Sequence, residues 1–421
     1  MEASTPHDPY QALRFRDFRL FLAGNLVASL GGRMLALAIG WELYERTSSA
    51  LALGIVGLVQ LLPVLLLSLL TGHVADRYDR KTIVVVSQIV VVVGSLGLAA
   101  LSYWQGPLVA IYGCLLLLGL GGSFESPAAS ALAGEVVAEE AFENSASWRT
   151  IVGELASVVG PATGGLLLAA SRAASVLYAI NALAALAFAV LLLLVRSERL
   201  PGPRIVEEEV ATALGSIGEV VGFLRRTPVL FAAISLDLFA VLLGGATTLL
   251  PIFAKDILRV GPDGLGWLQA APALGAMGVA LFLAHRPPLR RAGLTLLLAV
   301  AGFGAATVVF GLSHSFGLSL AMLGVLGGLD CISMVVRDTL MLTRAPNELR
   351  GRVAAIEGLF TSSSNQLGGF ESGLTAQLFG PVVSVVGGGI GTVLVVLAFA
   401  GLAPELRRMR SVRESSAVAG P

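Results

Sequence analysis

Charge is what this sequence has least of. Asp, Glu, Lys and Arg make up 13% of its 421 residues, roughly half the share of a soluble domain. The 28 Lys+Arg balance 28 Asp+Glu, so no net field draws the chain to nucleic acid. Cysteine is nearly missing. Cys114 and Cys331 both lie inside apolar runs, which excludes a disulfide framework and leaves two small apolar side chains. The four histidines, His7, His73, His285 and His314, show no metal-ligand spacing, and no cofactor is expected. There is no Gly-x-x-x-x-Gly-Lys-Ser/Thr run for ATP. Gly119-Leu120-Gly121-Gly122 sits within an apolar run and reads as helix packing. No nucleophile is paired with a base, so catalysis is not expected. Met1–Tyr10, polar with Pro6 and Pro9, lacks a signal-peptide pattern.

What is present is apolar surface, 55% of all residues. It falls into twelve segments: 17–42, 51–71, 82–103, 107–130, 148–170, 174–195, 229–253, 264–285, 291–312, 316–341, 353–377 and 381–403. Each is about long enough to cross a bilayer core as a helix, which gives an all-α membrane protein. With both termini in the cytoplasm, most Lys and Arg fall on the cytoplasmic side. Arg14, Arg16, Arg19, Arg77, Arg80, Lys81, Arg225, Arg226, Arg290, Arg291, Arg350, Arg352, Arg407 and Arg408 are among them. Only Arg46, Arg172, Lys255 and Arg259 fall outside, so charge bias decides the orientation. A polar stretch after Arg196, with Pro201, Pro203 and Glu207-Glu208-Glu209, divides the chain. The expected parts are residues 1–199, a cytoplasmic linker 200–227 with an amphipathic helix (Val210–Leu224), and residues 228–421 ending in a short cytoplasmic tail. A shift of 208 residues lays Gly160-Pro161-Ala162-Thr163-Gly164-Gly165 over Gly368-Gly369-Phe370-Glu371-Ser372-Gly373, a weak internal repeat of six-helix halves.

Between the second and third segments stands Gly72-His73-Val74-Ala75-Asp76-Arg77-Tyr78-Asp79-Arg80-Lys81. It reads as a short basic turn on the cytoplasmic face. It resembles the signature loop of the major facilitator superfamily, with Asp79 where that family usually has Gly. The departure bears on backbone geometry, because Gly tolerates positive φ more readily than Asp. The resemblance implies twelve helices in two pseudo-symmetric six-helix bundles, and a conformational latch formed by Gly72, Asp76, Arg77, Arg80 and Lys81. The later turn 285–291 keeps the basic charge without the acid. In the fifth segment, Gly160-Pro161-x-x-Gly164-Gly165 resembles the helix-five motif of antiporting exporters. There small residues permit close helix approach and Pro bends the helix. Pro346-Asn347-Glu348-Leu349-Arg350-Gly351-Arg352-Val353 resembles the loop before segment eleven in the drug:H+ antiporter branch that includes enterobactin exporters and macrolide efflux proteins, and reads as a Pro-started helical turn with a gating or structural role.

Arg33, Glu125, Glu154, Asp237, Asp330, Glu357 and Glu371 lie inside the segments. An ionised group at a helix centre costs about 2.5–3.5 kcal/mol, so these groups face the bundle interior, water or each other. In the resembling family, segments one, four, seven and ten line the cavity. That makes Arg33, Glu125, Asp237 and Asp330 candidate coupling charges, with structural ion pairing the competing reading. Glu154, Glu357 and Glu371 lie nearer segment ends and read as local pairs. The implied activity is proton-coupled efflux of a small amphipathic or lipophilic molecule by alternating access. It would be carried out by a monomer in the plasma membrane, with a small-molecule substrate, protons and the lipid bilayer as its partners. A lysophospholipid-type flippase and a transport-inactive sensor or scaffold are the alternatives.

Overall fold

A computed structural model describes residues 8–196, 222–286 and 291–409. The expected linker helix, apart from its last residues, and the C-terminal tail lie outside that description. So do Arg290 and the side chains of Asp76, Glu348, Arg350 and Arg352.

Among the described residues, twelve long helices follow one another: α1 (Arg16–Thr47), α2 (Ala50–Arg77), α3 (Arg80–Tyr103), α4 (Leu108–Glu135), α5 (Phe142–Ser171), α6 (Ala174–Leu194), α7 (Pro228–Leu243), α8 (Gly261–Ala284), α9 (Ala292–Leu312), α10 (Phe316–Arg344), α11 (Asn347–Phe379) and α12 (Pro381–Leu402). A short α13 (Pro404–Arg408) closes the described chain. Eleven of the described helical segments are long and apolar enough to cross a membrane. The remaining expected segment, the eleventh at 353–377, forms within α11 but falls short in apolar content. Its middle is the polar run Thr361-Ser362-Ser363-Ser364-Asn365-Gln366, flanked by Glu357 and Glu371.

Two local departures from the sequence reading have clear causes. The basic turn is shorter than the decamer. Thr71–Arg77 holds no Pro and a single Gly, Gly72, whose cost does not stop a helix, so α2 runs on to Arg77 and only Tyr78–Asp79 links it to α3. Segment seven is not one regular helix. After α7 the chain passes through a 3-10 stretch at Gly245–Leu249, one α-helical turn at Leu250–Ile252 and a π turn at Phe253–Ile257. Gly244, Gly245 and Pro251 are the residues that weaken α-helical continuity there.

The chain divides into two compact units. One comprises Met1–Ile39 and Leu62–Arg204, the other Gly40–Leu61 and Ile205–Pro421. In the first, Phe18, Phe21, Leu132, Phe188 and Leu192 form a fully buried core, and α3 packs against α4 and α6. Asn181 of α6 donates to Ser95 Oγ of α3 at 2.8 Å, a buried interhelical bond that satisfies both groups away from water. In the second, Leu230, Leu236, Leu296 and Leu340 are fully buried, and α8 packs on α10 over glycines. A Cβ on Gly275 would lie 1.8 Å from the Gly324 carbonyl oxygen, and one on Gly327 2.0 Å from that of Pro272. Only hydrogen fits at these two positions.

Candidate functional site

In the second unit, three helices bring charge together. α10 carries Asp330, Ser333 and Arg337 at three- and four-residue steps, which puts them along one face. The Arg337 guanidinium donates to Asp237 Oδ2 of α7 and lies 3.6 Å from Glu357 Oε1 of α11. Arg337, Asp237 and Glu357 are 6%, 4% and 8% exposed, so the network is buried. Beside it lies a small cavity lined by Asp237, Ala240, Val241, Val300, Phe303, Leu329, Asp330 and Ser333. Two carboxylates face one cation, and Asp330 adds a third acid at the cavity. Acid groups therefore outnumber the single cation there, and a group of this kind can take up or release a proton.

The structure thus gathers two of the expected coupling charges, Asp237 and Asp330, around one cavity. Arg33 and Glu125 belong to the first unit. Glu125 accepts from Gln88 Nε2 of α3 at 2.7 Å, and Gln88 is itself buried. Arg33 is exposed overall, while its Cβ lies close to Gly160 of α5. The sequence pattern assigns Arg337 no partner, and marks Glu357 only as a local pair. Neither of their spacings to Asp237 signals proximity.

The helix-five motif has a packing reason. Gly160, Pro161, Gly164 and Gly165 are all buried. A Cβ on Gly160 would sit 2.6 Å from Arg33 Cβ, and one on Gly164 3.2 Å from the Met34 backbone. The second half does the same at the same offset. A Cβ on Gly368 of α11 would meet the Val241 and Leu242 carbonyls of α7 at 2.8 Å. The shift that carries Gly160 to Gly368 also carries Arg33 to Val241 and Met34 to Leu242. Contacts in space therefore repeat in the register read from the sequence.

Around the basic turn, Asp79 has φ −62° and ψ 116° and caps α3, accepting from the Thr82 amide at 2.9 Å. An extended N-cap needs no positive φ, which is why Asp serves where the resembling family has Gly. Arg80 Nη1 donates to Glu135 Oε1 of α4 at 2.8 Å. Lys81 Nζ donates to the carbonyls of Leu193 and Val195 at 3.2 and 2.7 Å, at the C-terminal end of α6 where cations are favoured. Arg77 is exposed, and a Cβ on Gly72 would meet nothing.

A further polar cluster escaped the sequence reading. The Tyr44 hydroxyl of α1 donates to Asp256 of the π turn, and Lys255 lies over the Tyr44 ring. Tyr44 and Asp256 stand 212 residues apart, and no spacing rule joins them.

Residues 7–419 match the family described as transmembrane secretion effector. The chain is 28% identical over 401 residues to an enterobactin exporter of Citrobacter koseri, covering 93% of each chain. It is 29% identical over 385 residues to the multidrug efflux pump Tap of Mycolicibacterium fortuitum, covering 86% of this chain and 89% of that one. The fold matches a solved bacterial homologue of the human lysosomal transporter Spinster with a TM-score of 0.71 at 13% identity, over 97% of this chain and 99% of that one. With twelve long helices among the described residues, repeated glycine contacts and a match along nearly its whole length, this chain belongs to the transmembrane secretion effector family of major facilitator transporters and is a multi-pass membrane protein.

Proposed function

We propose that this chain exports a small amphipathic or lipophilic molecule across the plasma membrane in exchange for protons. It works as a monomer with both termini in the cytoplasm. The relatives named as an enterobactin exporter and a multidrug efflux pump support the direction and the cargo class. The skew of Lys and Arg supports the orientation. The carrying observation is the guanidinium of Arg337 held between Asp237 and Glu357 on three helices.

With one cation between two acids, one carboxylate is in excess. A proton arriving through the cavity at Asp330 and Asp237 neutralises that excess and lets the guanidinium settle on the other acid. Because the three groups sit on different helices, the exchange biases how α7, α10 and α11 pack. Loading or release of a proton thereby becomes a preference for one access state, the differential interaction that a switch requires. Asp76, with Gly72 and Arg77, is the latch of the basic turn, while Arg80 and Lys81 anchor it. Glu125 and Arg33 are the corresponding charges of the first unit.

The test is accumulation of a panel of labelled lipophilic compounds in cells with and without the gene. Cells expressing the protein retain less of at least one compound, and a protonophore abolishes the difference. Equal retention across the panel, or a difference the protonophore leaves intact, contradicts the proposal.

A further inference from the structure

The helix that is least apolar is also open on two opposite sides. One flank of α11 is covered by α7 and α12. Gly368 abuts the Val241 and Leu242 carbonyls, and Ser384 of α12 donates to the Ser372 carbonyl at 3.1 Å. The other flank is covered by the start of α2. A Cβ on Gly373 would lie 2.7 Å from Gly54 Cα, and one on Gly57 2.8 Å from the Gln366 carbonyl. Between these flanks, Phe360, Leu367, Leu374 and Leu378 are exposed. They fall on one line at helical spacing and form an apolar side suited to lipid.

The opposite side is exposed as well, but polar. At 3.6 residues per turn, Gly358, Ser362 and Asn365 lie within about 40° of the direction facing away from Phe360, and all three are exposed. Ser362 and Asn365 are near the middle of the helix, three residues apart and so adjacent on its surface. Polar side chains at that depth are not left to hydrocarbon. Exposed ones border a water-filled space. The face carries no ionisable side chain from Gly358 to Gly369. Asn365 Nδ2 donates to the Thr361 carbonyl at 3.0 Å, which occupies one amide hydrogen and leaves the side-chain carbonyl oxygen as an acceptor on the same exposed face as Ser362.

We infer that Ser362 and Asn365 form a neutral hydrogen-bonding station for the cargo, one that takes a hydroxyl or amide carried on an otherwise apolar molecule. The inference rests on the reading of this chain as an exporter. The station supplies an acceptor on Asn365 and a donor-acceptor on Ser362, so it suits groups that both give and accept a hydrogen bond. It offers no counter-charge to an ionised group. Gly358, next along the same face, leaves space where a side chain would narrow the approach. The charges of the Arg337 network and the station then serve different ends, the first the coupling ion and the second the choice of cargo.

The test uses the full chain in lipid nanodiscs, open to water on both faces, with Cys114 and Cys331 replaced by Ala. A charged methanethiosulfonate labels Ser362→Cys at least about tenfold faster than Leu367→Cys. 4-Hexylresorcinol slows labelling of Ser362→Cys, whereas hexylbenzene at the same membrane concentration does not. Adding Asn365→Leu weakens the resorcinol's protection about tenfold, the scale of one lost hydrogen bond. Asn365→Ser, which keeps a polar group, loses less. Equal labelling at the two positions, or equal protection by both compounds, overturns the inference. Should Asn365→Leu not fold, the Ser362→Cys comparisons alone decide it. A chain that labels and is protected but drives no protonophore-sensitive efflux sinks the coupling and spares the station.

Discussion

Arg337 is where a single side chain has most to lose. It is 6% exposed and serves Asp237 and Glu357 together. Removing the cation of a buried pair leaves uncompensated charge, a loss of about 3–5 kcal/mol. Arg337→Met should therefore lower the thermal unfolding transition of the detergent-purified protein sharply. Arg337→Lys should lower it less, because one ammonium meets one acid but lacks the fork that reaches two. An unchanged transition in Arg337→Met contradicts the ion network. Part of this was legible beforehand. Asp237 and Asp330 stand out as acids within apolar runs, and the cost of burying them demands a partner. The identity of that partner was not legible, because Asp237 and Arg337 lie 100 residues apart, and such a separation carries no record of contact. Tyr44 with Asp256 is the same case. At Asp79, by contrast, the sequence raised the right question and the structure answered it. The residue works as a cap, and Asp79→Ala should cost about 1 kcal/mol of α3 stability, read as faster amide exchange at Thr82.

At the scale of the element, spacing is informative where packing is uniform and silent where it is not. α5 on α1 shows the first case. Gly160-Pro161-x-x-Gly164-Gly165 indicates close approach, and the Gly160 position leaves no room for a methyl beside Arg33. Gly160→Val should cost about 1–3 kcal/mol through overpacking, whereas Gly122→Ala, where a Cβ meets nothing, should leave the unfolding transition in place. Equal effects of the two would break the packing account of the motif. Segment seven shows the second case. Gly244, Gly245 and Pro251 warn of a weak helix, but whether the chain answers with a kink, a 3-10 turn or a π turn depends on what packs against it. Gly245 is held against Gly368 and Ser372 of α11, a long-range contact. α11 shows a third case. Its polar run made it the weakest membrane segment by composition, and its two open faces account for that.

For the whole molecule, the order of the long helices among the described residues was readable, because lipid imposes length and apolar content on a crossing, and only α11 falls short of that apolar content. The division into compact units was less so. Gly40–Leu61 groups with the later part of the chain, through contacts such as Ser49 Oγ to Gln377 Oε1 at 2.9 Å, and no composition shift marks those boundaries. The central claim is that the acids around Arg337 tie proton movement to cargo movement. It is tested most directly in proteoliposomes that report internal pH, using a compound identified by the accumulation panel. Adding that compound to the wild-type protein should drive proton flux. Asp237→Asn and Glu357→Gln, inserted in equal amounts, should reduce that flux at least about tenfold, as expected for loss of a positioned proton carrier. Wild-type proton flux in both variants would contradict the account.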